Sequence, residues 1–435
     1  MIQTSSSWIS RRRLLQGIAL GSASIGAGFA GARELLKPQY QAPADPRAIP
    51  TFTGPSRNPF WNSIGPLVEY PEKLPLILLT DRAPQLETPR QYFNGAFTPN
   101  AAFYVRWHLD EIPNSVDLAK WRLRVEGSVQ RPLEYSMSDL LTRFKPVSVA
   151  AVNQCSGNSR SLLEPRVPGG QWGNGAMGNA KWTGVPLREL LDAAKLKPDA
   201  SAVQFQGLDR GKGPDNHASH QFLKSLDLKD SVIDDCIIAY AMNDEPLPML
   251  NGFPIRLVVP GYFATYWVKS LSWIRVLAAP DDNFWMKTAY RIPDTPGGST
   301  TPEEFKTGKI KTVPIGRMPV RSFIITPDVD AKLVAGLPVV IRGIAFSGYG
   351  PVEKLAASTD DGITWTPALL GEDFGPYSFR TWSFAWTPKK AGRYVLAARA
   401  TDAKGNTQPD NAIWNPGGYL WNRIERQQVT VGPAS

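Results

Sequence analysis

The chain has 435 residues, which is long enough for two or three domains with substantial cores. Its two cysteines are too few for a disulfide scaffold of this size. Of the formal net charge of +9, three charges are Arg11 to Arg13, and the rest are spread thinly without a nucleic-acid-binding motif. This pattern excludes nucleic acid as a partner and leaves a mildly basic surface that favours acidic partners.

The N-terminus has the pattern of a twin-arginine export signal. The pair Arg11-Arg12 precedes an aliphatic pair and a short, weakly apolar stretch, with a small-residue cleavage site at 30–32. The stretch is too short and too rich in Gly and Ser for a stable transmembrane helix, and the alternative is a basic anchor that stays in the membrane. We expect residues 1–32 to be removed and the mature chain to be a soluble periplasmic protein.

The next part of the chain divides by composition into an arm, a first domain and a linker. Residues 33–60 are rich in proline and polar residues, which predicts an extended arm. Residues 61–285 combine short β-like runs with brief helical pieces such as 187–194, and no βαβ rhythm repeats. The fold class predicted for this domain is therefore α+β rather than a doubly wound sheet. The proline-rich and glycine-rich residues 286–315 predict a linker.

The C-terminal part, residues 316–435, is all-β in pattern. Residues 382–386 alternate with period two, and Asp360-Asp361-Gly362 is a turn signal. About seven short strands over roughly 110 residues fit an immunoglobulin-like sandwich. The part has no cysteine, so the sandwich would lack an inter-sheet disulfide.

Residues 152–160 are the most informative segment, because they contain one of the two cysteines. The Asn, Ser and Gly residues around Cys155 favour tight turns, so we expect its sulfur on a loop. Arg160 can place a fixed positive charge near the thiol, which favours the thiolate that binds a metal or attacks a substrate. On this pattern alone, the alternative is a buried structural cysteine.

The second cysteine, Cys236, lies in an apolar run that predicts a strand. We therefore expect Cys236 to be buried and inert. A Cys155–Cys236 disulfide is the alternative, and it would consume the one candidate metal thiolate.

The stretch Cys155-Ser156-Gly157-Asn158-Ser159-Arg160 resembles the molybdenum-binding loop of the sulfite oxidase family, whose pattern is Cys-small-Gly-Asn-x-Arg. Four more stretches agree with that family in sequence order, at residues 103–108, 182–187, 251–256 and 266–269. The similarity runs from about Phe60 to the C-terminus. The family has an α+β cofactor domain followed by an immunoglobulin-like domain that usually dimerises.

The resemblance implies a cofactor in which a pterin dithiolene holds molybdenum, with Cys155 as the protein ligand to the metal. A soft thiolate suits a transition metal. The catalytic residues implied with Cys155 are Arg106 and Arg160, which match the arginines that bind the anionic substrate, and Tyr290, which matches the tyrosine beside the metal. The implied cofactor-binding set is Tyr104, Arg106, His108, Cys155, Asp209, His217, Asn251, Arg256, Trp267, Val268 and Lys269.

Within this set, Arg256 and Lys269 match positions that contact the cofactor and can supply cations for the pterin phosphate. Asp209 matches a carboxylate that can accept from pterin N–H groups. Asn251 stands where vertebrate members have His, and it still offers a donor and an acceptor. His217 and His220 lack a third ligand for zinc.

One position departs from the family pattern. Vertebrate members carry a third substrate arginine in a Trp-Asn-x-Arg-Gly stretch, where this chain has Gly417. Either the pocket is less positive, or another arginine such as Arg380 supplies the charge.

The function implied by the resemblance is that of a periplasmic sulfite dehydrogenase, similar to the bacterial sulfite-oxidising molybdoenzymes, which acts as a homodimer. The sequence has no Cys-x-x-Cys-His haem motif, so a separate c-type cytochrome is implied as the electron acceptor. One alternative is a related molybdoenzyme that acts on sulfane sulfur or a sulfoxide. The other is an exported binding protein without catalysis.

Overall fold

The computed structural model describes residues 66–81, 83–212, 220–328 and 331–434. The predicted export signal, the predicted arm and His217 lie outside these residues. Across the described ranges, no helix combines the length and the apolar character needed to cross a membrane.

The first domain is built from short strands and a few short helices. Its strands in the described ranges are β1 (Leu67–Val68), β2 (Leu76–Asp81), β3 (Pro84–Glu87), β4 (Val105–Arg106), β5 (Leu123–Gly127), β6 (Leu133–Tyr135), β7 (Val147–Gln154), β8 (Met177–Pro186), β9 (Ala202–Gly211), β10 (His220–Asp227), β11 (Ile237–Met242), β12 (Glu245–Pro246), β13 (Arg256–Val258), β14 (Leu271–Leu277), β15 (Arg291–Pro293) and β16 (Thr312–Pro314). The α-helices are α1 (Met137–Thr142), α2 (Leu187–Ala194), α3 (Phe284–Lys287) and α4 (Pro302–Lys306). Single 3₁₀ turns cover Arg90–Phe93, Asn100–Ala102, Arg160–Leu162, Ser231–Asp234, Met249–Asn251, Ala264–Tyr266 and Pro296–Gly298.

The strands of the first domain form several small sheets. The strand orders are β1-β2-β3-β4, β10-β9-β14-β5-β6 and β12-β11-β8-β7, with β13 also paired to β11. Among the described strands of this domain, pairing is antiparallel except between β5 and β14. The domain is thus mostly β with few helices. Helix α2 has the bounds that the sequence predicts, and it buries Leu187, Leu190, Leu191 and Ala194 on one face.

The segment predicted as a linker, residues 286–315, has regular structure. β15 and β16 pair as an antiparallel ladder, and α4 begins with a capping box between Thr301 and Glu304. Its prolines are compatible with this structure, because Pro302 occupies the first helical turn, where a backbone N–H has no helical acceptor. Regular secondary structure in residues 286–315 is compatible with a linker, so their role in joining the two domains stays a prediction.

The second domain consists of two sheets that face each other across a core. Its described strands are β17 (Arg321–Thr326), β18 (Leu333–Val334), β19 (Val339–Phe346), β20 (Val352–Ser358), β21 (Thr366–Pro367), β22 (Leu369–Leu370), β23 (Arg380–Trp386), β24 (Gly392–Asp402) and β25 (Arg426–Gly432). One sheet has the order β17-β19-β23-β22 and the other has β18-β25-β24-β20-β21. Trp382 from the first sheet and Leu396 from the second belong to the shared core. The turn signal is confirmed at Asp361 and Gly362, which have φ of 63° and 84°.

A buried polar network joins the two domains at the Cys155 loop. Nη2 of Arg321, in β17, donates to Glu425 Oε1, Asn174 Oδ1 and Ser159 Oγ, each at 2.7 Å. Asn174 Nδ2 donates to the other Glu425 oxygen at 2.8 Å. The Arg321 and Glu425 side chains are only 1% and 7% exposed. Because water does not screen these charges, removing one partner leaves the other charge buried and uncompensated.

Glu425→Gln is therefore expected to lower the free energy of unfolding by about 3 kcal/mol, since it leaves the Arg321 guanidinium without its counter-charge. Urea unfolding measures the change. The matched control is Glu126→Gln, because the Glu126–Arg275 pair is 35% and 39% exposed and should contribute less than about 1 kcal/mol. Equal losses in the two variants would contradict the role of the buried network.

Candidate active site

Cys155 lies directly after β7, at the start of a tight loop. Its N–H donates to the Ala176 carbonyl at 2.9 Å, and its carbonyl accepts from Asn158 N–H at 3.0 Å. The Asn158 side chain closes the loop, because its Oδ1 accepts from Ala176 N–H at 2.9 Å. Ser159 has a φ of 69°, a left-handed conformation that non-glycine residues adopt mainly at constrained sites. The sulfur is therefore on a loop, as predicted, although Cys155 is only 8% exposed.

The two cysteines are both free, so the alternative of a disulfide between them is excluded. Cys236 is fully buried and precedes β11, which begins at Ile237. Burial raises the pKa of the Cys236 thiol well above its usual value. The prediction that Cys236 is buried is therefore confirmed. A buried neutral thiol is unreactive, which agrees with the predicted inertness.

Cys155 lines a cavity that opens to solvent, and the empty space in and in front of it is about 420 Å³. Eight residues predicted from the sequence line it: Tyr104, Arg106, His108, Cys155, Asn251, Arg256, Lys269 and Tyr290. Five lining residues were not predicted: Asn153, Ser156, Leu250, Ala264 and Thr265. Two of these, Asn153 and Ser156, flank the cysteine motif closely enough that the loop geometry could have suggested them.

Three cations line the cavity, and in the described ranges none of them has a carboxylate within 4.0 Å. Lys269 Nζ donates to the Arg106 carbonyl at 2.8 Å. Nη1 and Nη2 of Arg256 donate to the carbonyls of Asn251 and Trp267, each at 3.0 Å. Burial lowers the pKa of Arg256 to about 10, and burial together with Arg256 also lowers the pKa of Lys269. An anionic ligand would relieve this excess of positive charge.

Asp209, the predicted pterin acceptor, is buried in β9. Burial raises the pKa of its carboxyl, and the Lys269 ammonium opposes that shift. Asp209 is outside the set of cavity-lining residues. Its charge acts on the site through Lys269 rather than by lining the cavity.

Tyr290 and His108 form a hydrogen-bonded pair at the cavity wall. The Tyr290 hydroxyl bonds His108 Nε2, and the His108 ring stacks on Phe222 with centroids 3.8 Å apart. Burial and the Arg106, Lys269 and Lys224 cations lower the pKa of His108, while burial raises the pKa of Tyr290. Both groups are therefore neutral near pH 7, and the pair can pass a proton along its hydrogen bond.

Asn251 is fixed by a lysine that no motif indicated. Lys73 Nζ donates to the carbonyls of Asn100 and Phe103 at 2.9 and 3.0 Å, and to Asn251 Oδ1. Asn251 Nδ2 donates to the Tyr104 carbonyl at 3.0 Å. Burial lowers the pKa of Lys73 to about 7. Lys73 and Asn251 are 178 positions apart, so no local pattern in the sequence could have connected them.

Arg160 lies against the backbone of its own motif and outside the cavity lining. Its guanidinium packs so closely on Gly157 that a Cβ at that position would overlap it. Nε and Nη1 donate to the carbonyls of Gly417 and Gly170 at 3.1 and 3.0 Å. In the described ranges, Nη2 has no protein acceptor. Gly417, the position that departs from the family pattern, thus bonds Arg160 through its carbonyl.

The remaining predicted residues lie farther from the cavity. Trp267 and Val268 are buried in the core, and Trp267 contributes the carbonyl that orients Arg256. Arg380 donates to the carbonyls of Gly371 and Val352 within the second domain, so its donors are already used there. The suggestion that Arg380 replaces a substrate arginine is therefore not supported.

The cavity residues fit a large polar cofactor. Within the part of the chain that the structure describes, four lining residues carry a fully buried polar atom without a protein partner: Asn153 Nδ2, Ser156 Oγ, Arg256 Nε and Thr265 Oγ1. Buried polar atoms are normally hydrogen-bonded, so such a cluster around one cavity indicates a bound group that satisfies them. Together with the Cys155 sulfur and three cations that line the cavity, these atoms suit a pterin that carries an anionic group and a metal.

Comparisons with known proteins agree with this geometry. The family described as "Oxidoreductase molybdopterin binding domain" matches residues 108–285, and the "Mo-co oxidoreductase dimerisation domain" matches residues 312–431. The sulfite oxidase of Gallus gallus is 33% identical over 407 residues, which cover 88% of this chain and 82% of that protein. The mitochondrial sulfite oxidase of Mus musculus is 32% identical over 395 residues, which cover 87% of this chain and 70% of that protein.

A solved structure extends the similarity to three dimensions. The sulfane dehydrogenase SoxCD from Paracoccus pantotrophus superposes with a TM-score of 0.68 at 25% sequence identity. The superposition covers 81% of this chain and 88% of that chain. Both domains of the present chain therefore have counterparts in known proteins.

Cys155→Ser should leave the fold intact but abolish the molybdenum-dependent oxidoreductase activity, because a hydroxyl is a poor substitute for a soft thiolate at a transition metal. Circular dichroism checks the fold, and metal analysis with a steady-state assay checks the site. Cys236→Ser is the matched control and should keep both metal content and activity. Near wild-type turnover by Cys155→Ser would remove Cys155 as the metal ligand.

Proposed function

Because this chain belongs to the sulfite oxidase family of molybdopterin enzymes, we propose that it is a sulfite dehydrogenase. The chain is a molybdenum-dependent oxidoreductase with a molybdenum-pterin cofactor, so the alternative of a binding protein without catalysis does not hold. The proposed reaction converts sulfite and water into sulfate, two protons and two electrons. When bound, the cofactor supplies the oxygen transfer and the two-electron redox step.

The proposed roles in cofactor binding follow the donors around the cavity. Cys155 would hold the metal, and Arg256 and Lys269 would bind the anionic part of the pterin. The unpartnered atoms of Asn153 and Thr265 would bond its polar edges. Lys73 would act indirectly, because it fixes Asn251 in the cavity wall.

The observation that carries the proposal is the arginine charge left available for an anion. Arg106 bonds protein only through Nη1, to the Trp107 carbonyl, in the described ranges. In the same ranges, Arg160 Nη2 has no protein acceptor and can donate to a ligand. Guanidinium groups suit oxyanions because they offer paired donors in one plane. The neutral Tyr290–His108 pair would accept and pass on the protons that the reaction releases.

The proposed acceptor is a separate c-type cytochrome, and the proposed location is the periplasm after twin-arginine export. Support for the acceptor and for the location comes from the sequence patterns alone. We further propose that the second domain is an immunoglobulin-like sandwich that pairs two copies of the chain. Its two-sheet architecture and its match to a dimerisation domain support that proposal.

A second candidate is oxidation of sulfane sulfur. Two observations favour it: the structural similarity to a sulfane dehydrogenase, and Gly417 in the place of a substrate arginine. Sulfite remains the preferred substrate because Arg106 and Arg160 both keep donors available for a small dianion.

The substrate is tested with purified enzyme whose molybdenum content has been measured. We expect sulfite-dependent reduction of cytochrome c, and at least tenfold lower activity with thiosulfate, which carries a sulfane sulfur. Cys155→Ser protein serves as the blank. Full molybdenum loading with activity on thiosulfate but not on sulfite would replace the proposal with the second candidate.

Arg160→Gln should raise KM for sulfite by roughly ten- to a hundredfold, because losing one charge-assisted contact to an anion costs about 1.5–3 kcal/mol. Arg160→Lys keeps the charge but loses the planar guanidinium, so its KM should lie between the KM values of the wild-type enzyme and Arg160→Gln. Arg380→Gln is the control, since its donors serve backbone carbonyls of the second domain. An unchanged kcat/KM in fully metal-loaded Arg160→Gln would remove Arg160 from substrate binding.

A further inference from the structure

Tyr419, on the second-domain loop at residues 414–420, contacts two residues of the proposed site without belonging to any motif. On the basis of the sulfite chemistry proposed above, we propose that its hydroxyl binds an oxygen of the substrate oxyanion. We also propose that its ring limits the size of the substrate that can enter.

The position of Tyr419 supports this role, because the ring contacts two residues of the proposed site. It stacks on the cavity-lining Tyr290, with centroids 5.7 Å apart and planes 15° from parallel. The Arg160 guanidinium carbon lies 5.4 Å from the same ring centroid. Tyr419 is outside the set of cavity-lining residues, but it contacts both Arg160 and the cavity-lining Tyr290. A substrate held by Arg160 next to Tyr290 would therefore lie near this ring.

The loop holds the ring in place without help from a ligand. Asn415 is fully buried, its Oδ1 accepts from Tyr419 N–H at 3.0 Å, and its Nδ2 donates to the Tyr419 carbonyl at 2.8 Å. The following residue, Leu420, has a φ of 67°, so the chain turns sharply there. Pre-organised groups bind a ligand at lower entropic cost than mobile ones.

Gly417 is matched to the ring. A Cβ at position 417 would overlap the Tyr419 ring edge, so any residue with a side chain would displace Tyr419 or be displaced by it. The ring thus occupies space into which a side chain at 417 would project. A side chain at position 417 and the Tyr419 ring would therefore compete for one volume, which borders the cavity-lining Tyr290.

The Tyr419 hydroxyl is available as a donor. In the described part of the chain, no protein group forms a hydrogen bond with it, whereas the Tyr290 hydroxyl is bonded to His108. Burial raises the pKa of Tyr419, and Arg160, Cys155 and Arg106 are the charges that act on it. A neutral phenol beside the Arg160 guanidinium can donate to an oxyanion that this guanidinium binds.

Tyr419→Phe removes the hydroxyl and keeps the ring. We expect KM for sulfite to rise about tenfold or more, since a hydrogen bond to an anion is lost, with kcat changed less than twofold. Calorimetric titration of the holoenzyme with sulfate, the product oxyanion, should show the same loss of affinity without turnover. Tyr394→Phe is the control, because that hydroxyl donates to the Lys390 carbonyl elsewhere in the second domain.

The outcomes separate this assignment from the proposed function. If wild-type enzyme oxidises sulfite and Tyr419→Phe keeps both KM and sulfate affinity, only the assignment of Tyr419 is overturned. If fully loaded wild-type enzyme does not oxidise sulfite, the proposed function fails. In that case, weaker sulfate binding by Tyr419→Phe would still support oxyanion binding by Tyr419, and unchanged binding would overturn it.

A second pair of variants tests the steric part without any assay of activity. Gly417→Arg should lower the melting temperature, because the new side chain overlaps the ring. Adding Tyr419→Val should recover most of the lost melting temperature, because it empties the space that the ring occupies. If Gly417→Arg is as stable as the double variant, the ring does not occupy that space and cannot limit substrate size.

Discussion

Positive charge that the protein does not itself neutralise is the constraint on which this site depends. Arg106, Arg256 and Lys269 surround the cavity without carboxylate partners in the described ranges, and burying such charges is costly. Carbonyls and aromatic faces make the arrangement tolerable: the Arg256 guanidinium carbon is 5.1 and 5.7 Å from the ring centroids of Trp182 and Trp267. Trp182 and Trp267 thus help to hold the Arg256 cation ready for an anionic cofactor.

The same solution recurs behind the cavity wall. Lys224 is fully buried, its Nζ donates to the Trp285 carbonyl at 2.8 Å, and it lies 4.7 and 5.3 Å from the ring centroids of Tyr266 and Tyr290. Burial lowers the pKa of Lys224 to about 7. Its positive charge contributes to the lowered pKa of His108. The same positive electrostatic potential that favours anion binding therefore keeps the histidine neutral. One electrostatic arrangement therefore serves both binding and proton transfer.

Part of this site could be predicted from short sequence motifs. The rest could not, because it depends on contacts between residues that are far apart in the sequence. Cys155, Arg256 and Lys269 belong to short motifs that resemble those of the sulfite oxidase family, and that resemblance was sufficient to find them. Lys73 and Tyr419 were missed because their roles arise from contacts made by the folded chain alone. The secondary structure within the predicted linker could not be predicted for a related reason. Proline content indicates where backbone hydrogen bonds are lost, but not that Pro302 stands where none is needed.

The overlap between Gly417 and the Tyr419 ring also restricts how this pocket can change over time. A mutation that introduces a bulky residue at position 417 meets an occupied volume, whereas the same mutation after loss of the ring does not. Loss of the Tyr419 ring followed by a bulky residue at 417 avoids the overlap, whereas the reverse order passes through it. In homologous proteins that differ at both positions, we therefore expect the Tyr419 ring to have been lost before a bulky residue appeared at position 417. The intermediate, with neither the ring nor a bulky residue at 417, would have the widest pocket.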